Sequence, residues 1–193
     1  PERVVALIED ALHYPVFVKP ANLGSSVGIS KVKAAAALPA ALDLAASYDR
    51  KVLVEQGINA RDIEISVLGN DDVAVSVVGE IVSSNEWYDY AAKYLDGESE
   101  PIIPAPVAPA VADEIQRLAI EAYRAVDASG LSRVDFLMDR DTGELWLSEI
   151  NTLPGFTPIS MYAKMWAASG VSYRELCHRL VYLALERHAE KSR

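Results

Sequence analysis

Two acidic residues and an asparagine in the C-terminal half of the chain have the types and the spacing of a metal site. Asp135 lies in the first strand of a predicted hairpin, and Glu149 and Asn151 lie in the second. Residues two apart on a strand point to the same face. A loop over 139–143, with an odd number of residues, would put the odd-numbered positions of both strands on one face. The result is an oxygen-rich patch that suits a hard cation such as Mg²⁺.

Arg133 belongs to the same predicted face. Arg133 and Asp135 are expected to lie opposite Leu147 and Glu149. An arginine beside such a patch suits a phosphate or a developing negative charge. A solvated sheet face with a structural salt bridge has the same pattern, and the spacing alone does not decide between the two interpretations.

A loop of small residues at 22–30 follows a predicted strand that ends near Lys19. Glycines at 24 and 28 let backbone approach a ligand, and the hydroxyls of Ser25 and Ser26 can donate to phosphate oxygens. Lys19 could reach the same phosphates as a point charge. No lysine follows the last glycine, so this is not a Walker A motif. A tight turn beside a solvated lysine remains the alternative.

Two further segments could complete a nucleotide site. The stretch from Glu55 to Ile58 could meet an adenine with backbone groups and an apolar side chain, and Asp62 could accept from ribose hydroxyls. The alternative is a plain connector with an exposed charge. Lys93 and Tyr94 lie in a long aromatic loop, which is either a lid that excludes water or a loop held by aromatic packing.

Hydrophobic periodicity predicts the elements that position these residues. Helices are expected at about 4–12, 38–48 and 115–126 and from about 173. Strands are expected at 15–20, 52–55, 62–68 and 73–81, with a hairpin of 133–138 and 144–150. Gly130 is expected to stop the third helix, and residues 85–109 are expected to be irregular.

Bulk properties exclude several classes of function. The chain has 193 residues, 51% of them hydrophobic and 24% charged, and a formal net charge of −10. The acidic balance argues against general nucleic-acid binding, and the apolar runs are shorter than the roughly 18 residues of a membrane span. The single Cys177 excludes an internal disulfide. A first residue of Pro1 rather than methionine suggests a trimmed protein or an excised fragment.

The order of the motifs is more specific than any one of them. It runs Phe17-Val18-Lys19-Pro20, Gly24-Ser25-Ser26-Val27-Gly28, Glu55, Tyr88-Asp89-Tyr90 with Lys93-Tyr94, Arg133-Val134-Asp135, and Glu149-Ile150-Asn151-Thr152 with Pro154-Gly155. This series covers nearly the whole chain and closely resembles the D-alanine–D-alanine ligase family of the ATP-grasp superfamily.

The resemblance implies an α+β ATP-grasp fold. Two lobes, each with a mainly antiparallel sheet and helices, would hold the nucleotide between them. Residues 1–55 would be part of the smaller central lobe and residues 56–193 the C-terminal lobe. The latter would carry a lid loop at about 85–103 and a metal-binding hairpin over 133–151. The family's N-terminal domain and the start of its central domain would be absent.

The resemblance also implies a role for each candidate residue. For the nucleotide, these are Lys19 on the phosphates, Gly24 and Ser26 in the closing loop, Glu55 and Ile58 at the adenine, and Asp62 at the ribose. The family usually has a glutamate at the ribose, and Glu64 is a nearby substitute for the shorter Asp62.

For the chemistry, the resemblance implies Ser25 in the network around the first D-alanine, Lys93 on the γ-phosphate, Tyr94 in the lid and Arg133 at the tetrahedral intermediate. It implies that two Mg²⁺ ions (or Mn²⁺) are bound by Asp135, Glu149 and Asn151. The second D-alanine would be held by Gly155, Ser160 and Met161, with Ser160 facing its carboxylate.

The implied activity is the ATP-dependent ligation of two D-alanines through an acylphosphate, for peptidoglycan precursors in the bacterial cytoplasm. The partners would be D-alanine, ATP and the missing N-terminal domain, without nucleic acid or membrane, and a homodimer is left open. Three alternatives remain. The first is another ATP-grasp carboxylate–amine ligase such as a D-alanine–D-lactate enzyme, which Tyr94 argues against. The second is a nucleotide-binding or assembly module without activity of its own, and the third is a Mg²⁺-dependent hydrolase, for which no water-activating base is identified.

Overall fold

The computed structural model describes residues 2–24, 26–82, 100–157 and 160–192. These residues fall into two compact units, one over 2–59 and the other over 60–82 and 100–192. Ser25, Lys93 and Tyr94, and most of the expected lid loop, lie outside the described residues.

The first unit is a three-stranded antiparallel sheet covered on one face by helices. The strand order is β2-β1-β3. The strands are β1 (Val16–Pro20), β2 (Ser30–Val32) and β3 (Val52–Gln56), and the helices are α1 (Glu2–Ala11) and α2 (Leu38–Tyr48).

Alternation along β1 separates a packed face of this sheet from a polar one. Val16 and Val18 are fully buried in a core with Leu38 and Ala45 of α2, while Lys19 lies between buried neighbours on the strand and is only partly buried. Since successive side chains of a strand point to opposite faces, Lys19 lies on the face away from this core.

The second unit is a five-stranded antiparallel sheet with the order β6-β5-β4-β7-β8. Its strands are β4 (Ala60–Gly69), β5 (Ala74–Val82), β6 (Glu100–Ile102), β7 (Gly130–Asp139) and β8 (Leu145–Asn151). Its helices are α3 (Pro109–Ala125), α4 (Met161–Ala168) and α5 (Tyr173–Lys191). In the described part of the chain, no helix combines the length and apolar character that crossing a membrane would need.

The central strand β4 is buried on both faces, each against a different helix. The odd-numbered Ile63 and Ile65 pack in a core with Ile115 and Tyr123 of α3. On the opposite face, the hydroxyl of Ser66 donates to the carbonyl of Tyr162 in α4 at 3.2 Å. The polar even-numbered positions of β4 therefore share a face with α4.

The long elements confirm the periodicity, while three local expectations are wrong. Residues 100–102, expected to be irregular, form strand β6 against β5. Helix α3 ends at Ala125, as expected, but it begins at Pro109, and Gly130 begins β7 instead of stopping the helix. Helix α4 was not anticipated, because four of its eight residues are buried and a helix buried on most sides lacks the apolar stripe by which sequence reveals a helix.

Candidate functional site

Polar side chains form two rows across three neighbouring strands of the second unit. Asp135 on β7 pairs with Glu64 on β4 and with Glu149 on β8. Two residues earlier on β7, Arg133 pairs with Ser66 on β4 and with Asn151 on β8. Directly opposed side chains lie roughly 5 Å apart at Cβ, so the rows bring the predicted metal and arginine residues together on one face.

A β-bulge on β8 produces this alignment. Met138 pairs with Leu145, so six residues lie between the last paired residues of the hairpin instead of the expected five. Leu147 pairs with Phe136 instead of lying opposite Arg133 or Asp135. The register shifts between Asp135 and Phe136, where β8 contributes one extra residue, Ser148. The prediction that odd-numbered residues share a face is confirmed beyond the bulge, although the loop that suggested it is wrong.

Arg133 contacts all three carboxylates of the first row. Its Nε and Nη2 donate to the two carboxylate oxygens of Asp135, each at 2.7 Å. Its Nε also lies 3.2 Å from Oε2 of Glu64, and its Nη2 lies 4.0 Å from Oε1 of Glu149. Burial lowers the pKa of Arg133, but the hydrogen bond to Asp135 and the three negative charges outweigh this and raise the pKa above its ordinary value.

The carboxylates of the row differ greatly in exposure. The side chains of Glu64 and Asp135 are 11% and 14% exposed, whereas that of Glu149 is 62% exposed. The amide oxygen of Asn151 accepts from the backbone N–H of Leu153 at 3.2 Å. Among the described residues, no three His, Cys, Asp or Glu side chains are grouped as they would be around a metal ion, and Arg133 balances part of the negative charge.

Gly155 and Ser160 are brought together at the start of α4. The Ser160 hydroxyl lies 2.8 Å from that of Thr157 and accepts from the backbone N–H of Thr157 at 3.1 Å. A Cβ on Gly155 would lie 3.2 Å from the same hydroxyl. Met161, the first helical residue, packs its Cε over Gly79 of β5.

Lys19 and Glu55 form an ion pair of 2.7 Å on the polar face of the first unit. Glu55 lies opposite Phe17, two residues from Lys19 on β1. The side chains of Lys19 and Glu55 are 29% and 50% exposed, so the pair fixes the lysine ammonium while leaving it accessible. In the second unit, the partly buried Asp62 lies on β4 opposite Leu137.

The small-residue loop is closed by its own backbone and held at its base. Ser26 and Gly28 have left-handed φ angles of 61° and 72°, and a Cβ on Gly28 would lie 2.7 Å from the Tyr48 ring. Gly24 has open space around its Cα. At the base, the Asp49 carboxylate accepts from the backbone N–H and the side-chain amide of Asn22 at 2.8 and 2.7 Å.

The segment after β3 is fixed by a glutamine that sequence reasoning did not single out. The Gln56 amide donates to the carbonyl of His13 and accepts from its backbone N–H, both at 2.8 Å. Gly57 donates to the carbonyl of Pro15 at 2.8 Å, and a Cβ there would lie 2.5 Å from that oxygen. The backbone leading to Ile58 is thus held in one conformation.

The base of the loop should loosen in acid and in an Asp49→Ala variant. Hydrogen bonds from Lys51 and Asn22 hold the pKa of Asp49 below its ordinary value. A depressed carboxylate pKa stabilises the fold above the ordinary value, and this contribution is lost as the pH falls through the lowered pKa. In Asp49→Ala at neutral pH, the Asn22 amide should exchange its hydrogen about tenfold faster or more, as local opening becomes easier.

Hydrogen exchange with mass spectrometry measures this change. Asp43→Ala removes an equivalent exposed charge from α2 and is the matched control, expected to leave the exchange of Asn22 unchanged. Equal exchange rates in both variants would mean that Asp49 does not hold the loop.

The chain is similar to known proteins over most or all of its length. A family model described as D-ala D-ala ligase C-terminus matches residues 1–182. The chain is 59% identical over 192 residues to the D-alanine--D-alanine ligase of Heliobacterium modesticaldum, covering 100% of this chain and 52% of that protein. It is 60% identical over 183 residues to that of Thermoanaerobacter sp. (strain X514), covering 94% and 51%.

Solved structures give the same result. A D-Ala:D-Ser ligase from Enterococcus faecalis superposes with a TM-score of 0.85 at 38% identity, covering 94% of this chain and 53% of that one. The D-alanine-D-alanine ligase from Coxiella burnetii gives 0.85 at 36% identity, covering 99% and 50%. The expected α+β ATP-grasp fold class is confirmed.

The chain spans about half the length of the curated relatives it matches. The match over residues 1–182 and the identities near 60% confirm the resemblance that the order of motifs suggested. The chain belongs to the D-alanine–D-alanine ligase family, and the part of the family that it matches is the C-terminal one.

Proposed function

We propose that this chain is the nucleotide-binding and metal-binding part of an ATP-dependent D-alanine–D-alanine ligase. The observation that carries the proposal is the pairing of Asp135 with Glu149 and of Arg133 with Asn151 on one sheet face. Family membership alone would suggest the activity, and this register supports it because carboxylates and a guanidinium come within reach of one another, as phosphoryl transfer would need.

The donor set at this face fits Mg²⁺. Asp135 and Glu149 are directly opposed, and hard divalent cations take carboxylate and amide oxygens as ligands. We assign Asp135, Glu149 and Asn151 as the residues that would hold two Mg²⁺ ions, with Mn²⁺ as a substitute. The bound ions would neutralise charge on the nucleotide phosphates.

We assign the nucleotide roles residue by residue within each unit. In the first unit, we assign the phosphates to Lys19, already fixed by Glu55, and to the backbone amides and hydroxyls of the loop at Gly24 and Ser26. We assign the adenine to the backbone from Glu55 to Ile58, which Gln56 holds in place. In the second unit, we assign the ribose hydroxyls to Asp62. Ser25, Lys93 and Tyr94 keep the roles expected from the family.

The start of α4 would hold the carboxylate of the second D-alanine. The N-terminus of a helix favours an anion, because its first N–H groups lack partners within the helix. The Ser160 hydroxyl makes no capping hydrogen bond to its own helix, and it lies close to Gly155, where a Cβ would come within 3.2 Å of it. Met161 would form the apolar side of this subsite.

The proposed reaction has two steps. A carboxylate oxygen of the first D-alanine attacks the γ-phosphorus of ATP, and ADP leaves with its bond to that phosphorus broken. The amine of the second D-alanine then attacks the carbonyl carbon of the acylphosphate, phosphate leaves, and one proton is released. Arg133, held against the sheet by Asp135 and Glu64, would stabilise the oxyanion of the tetrahedral intermediate.

A second acceptor has one specific observation in its favour. One solved structure similar to this chain is described as a D-Ala:D-Ser ligase. Its identity is 38%, whereas curated relatives named D-alanine--D-alanine ligase reach 59% and 60%. These values favour D-alanine as the second substrate and make D-serine the competitor to assay.

The proposed reaction needs ATP and takes place in the bacterial cytoplasm. The family's N-terminal domain would complete the site of the first D-alanine.

The test is phosphate release from ATP by the complete ligase that contains this sequence. Release should require D-alanine, and D-serine or D-lactate should support a much lower rate. Release driven equally well by other amino acids would overturn the D-alanine assignment. MgADP binding without any phosphate release in the complete protein would instead favour a nucleotide-binding module.

A further inference from the structure

Glu64 is a buried carboxylate that the proposed reaction does not use directly. The residue is 8% exposed, and it lies on β4 opposite Asp135. Its sequence position suggested a substitute for Asp62 at the ribose, but its Oε2 lies 3.2 Å from Nε of Arg133. A glutamate is rarely buried unless it is paired, and Arg133 lies within ion-pair distance of it.

Asp135 serves two groups in the proposed site. Both of its carboxylate oxygens accept hydrogen bonds from Arg133, yet a metal ion needs at least one of those oxygens. A metal ion on these oxygens would draw negative charge from the carboxylate and so weaken its hydrogen bonds to Arg133. Glu64 approaches the same Nε from the neighbouring strand, so it can keep the guanidinium in place.

We infer that Glu64 is a positioning residue that holds Arg133 while Asp135 binds the metal; this inference rests on the proposed function. Charge supports the same role. Three carboxylates around one guanidinium leave an excess of two negative charges, which attracts divalent cations. Without Glu64, Arg133 and the metal compete for Asp135, and the excess falls to one charge.

The first experiment compares Glu64→Gln with the wild type in the complete ligase. We expect kcat to fall about thirtyfold, within the range for a residue that orients a functional group. The Mg²⁺ concentration at half-maximal rate should rise about tenfold, while KM for ATP should change less than about threefold, because Glu64 touches the metal site only through its neighbours. Unchanged kcat and Mg²⁺ dependence would overturn the inference.

Glu80→Gln is the matched control. Glu80 is a second buried glutamate of the same sheet and is paired with Arg61 instead of Arg133. This variant should lose thermal stability while keeping the wild-type kcat and Mg²⁺ dependence. If it reproduced the Glu64→Gln kinetics, the effect would be a general loss of a buried charge and the positioning role would be wrong.

A second measurement does not depend on catalysis. The Nε–H resonance of Arg133 in the ¹⁵N spectrum of the 193-residue chain can be assigned by its loss in Arg133→Lys. With MgADP bound, its exchange with water should be about tenfold faster or more in Glu64→Gln than in the wild type, and unchanged in Glu80→Gln. Without MgADP the difference should be smaller, because the Nε–H of Arg133 then donates to Asp135. Equal exchange in Glu64→Gln and wild type, with and without MgADP, would overturn the inference.

The two measurements separate the possible failures. A wild-type ligase that releases no phosphate with D-alanine would defeat the proposed function, and the exchange of the Arg133 Nε–H would still show whether Glu64 holds the guanidinium. If the wild type is active and Glu64→Gln has the same kcat, Mg²⁺ dependence and Nε–H exchange, the inference about Glu64 is wrong while the proposed function stands.

Discussion

The Glu149→Gln variant of the complete ligase is expected to lose D-alanine-dependent phosphate release by more than about a hundredfold, since even a residue that only supports a metal ligand is worth 10–100-fold. An amide of the same shape keeps one oxygen but loses the negative charge that a hard cation requires. The Glu149 side chain is 62% exposed, and its ion pair with Arg133 is long at 4.0 Å. The free energy of unfolding of the variant should therefore differ from that of the wild type by no more than about 0.5 kcal/mol.

The measurements are steady-state phosphate release and thermal unfolding followed by circular dichroism. Glu144→Gln removes the same charge from the exposed loop of the same hairpin and should retain wild-type turnover. A Glu149→Gln variant that turned over normally, or that lost several degrees of melting temperature, would support the alternative of a solvated sheet face with a structural salt bridge.

The two polar rows show how much of the site could be predicted from the sequence alone. Residue types and a period of two sufficed to place Asp135, Glu149 and Asn151 on one face. The pairing itself depended on a bulge at Ser148, and nothing in the sequence of β8 marks that residue. The predicted face was nevertheless correct. The one extra residue between the last paired residues shifts the pairing by one, and the one extra residue of the bulge shifts it by one again, so odd-numbered residues still pair with odd-numbered residues.

Glu64 shows where local reasoning stopped. Its contact with Arg133 exists because β4 lies beside β7 in the sheet, although the two residues are far apart in sequence. Periodicity identifies the face of each strand but not which strands are neighbours. The order β6-β5-β4-β7-β8 therefore could not be deduced from the sequence, which offered Glu64 only as a nearby substitute for Asp62 at the ribose.

Helix α4 was missed for a different physical reason. Its sequence, Met161-Tyr162-Ala163-Lys164-Met165-Trp166, has almost no polar face, because the sheet and α5 cover it. The hydroxyl of Tyr162 donates to the carbonyl of Val67, and Ser169 accepts from the backbone N–H of Val77. Such tertiary contacts, and not an amphipathic pattern, define the element that carries Ser160 and Met161.

Removing one partner of the buried ion pair between Arg61 and Glu80 is expected to destabilise the second unit strongly. Nε and Nη2 of Arg61 donate to the two oxygens of Glu80 at 2.8 and 2.6 Å. The side chains are 18% and 4% exposed, and Arg61 also donates to the carbonyl of Pro106 before α3 at 3.3 Å. The hydrogen bond from Arg61 to Glu80 raises the pKa of Arg61, so the guanidinium remains charged.

Arg61→Met should lower the free energy of unfolding by about 3 kcal/mol, because it leaves the carboxylate of Glu80 buried without a cation. The double variant Arg61→Met/Glu80→Leu replaces both partners with apolar groups and should recover most of that loss. Urea denaturation of the 193-residue chain measures both values. A loss below about 1 kcal/mol in the single variant would place the pair among ordinary surface salt bridges. A double variant no more stable than the single one would show that the lost contact with Pro106, and not the stranded charge, is responsible.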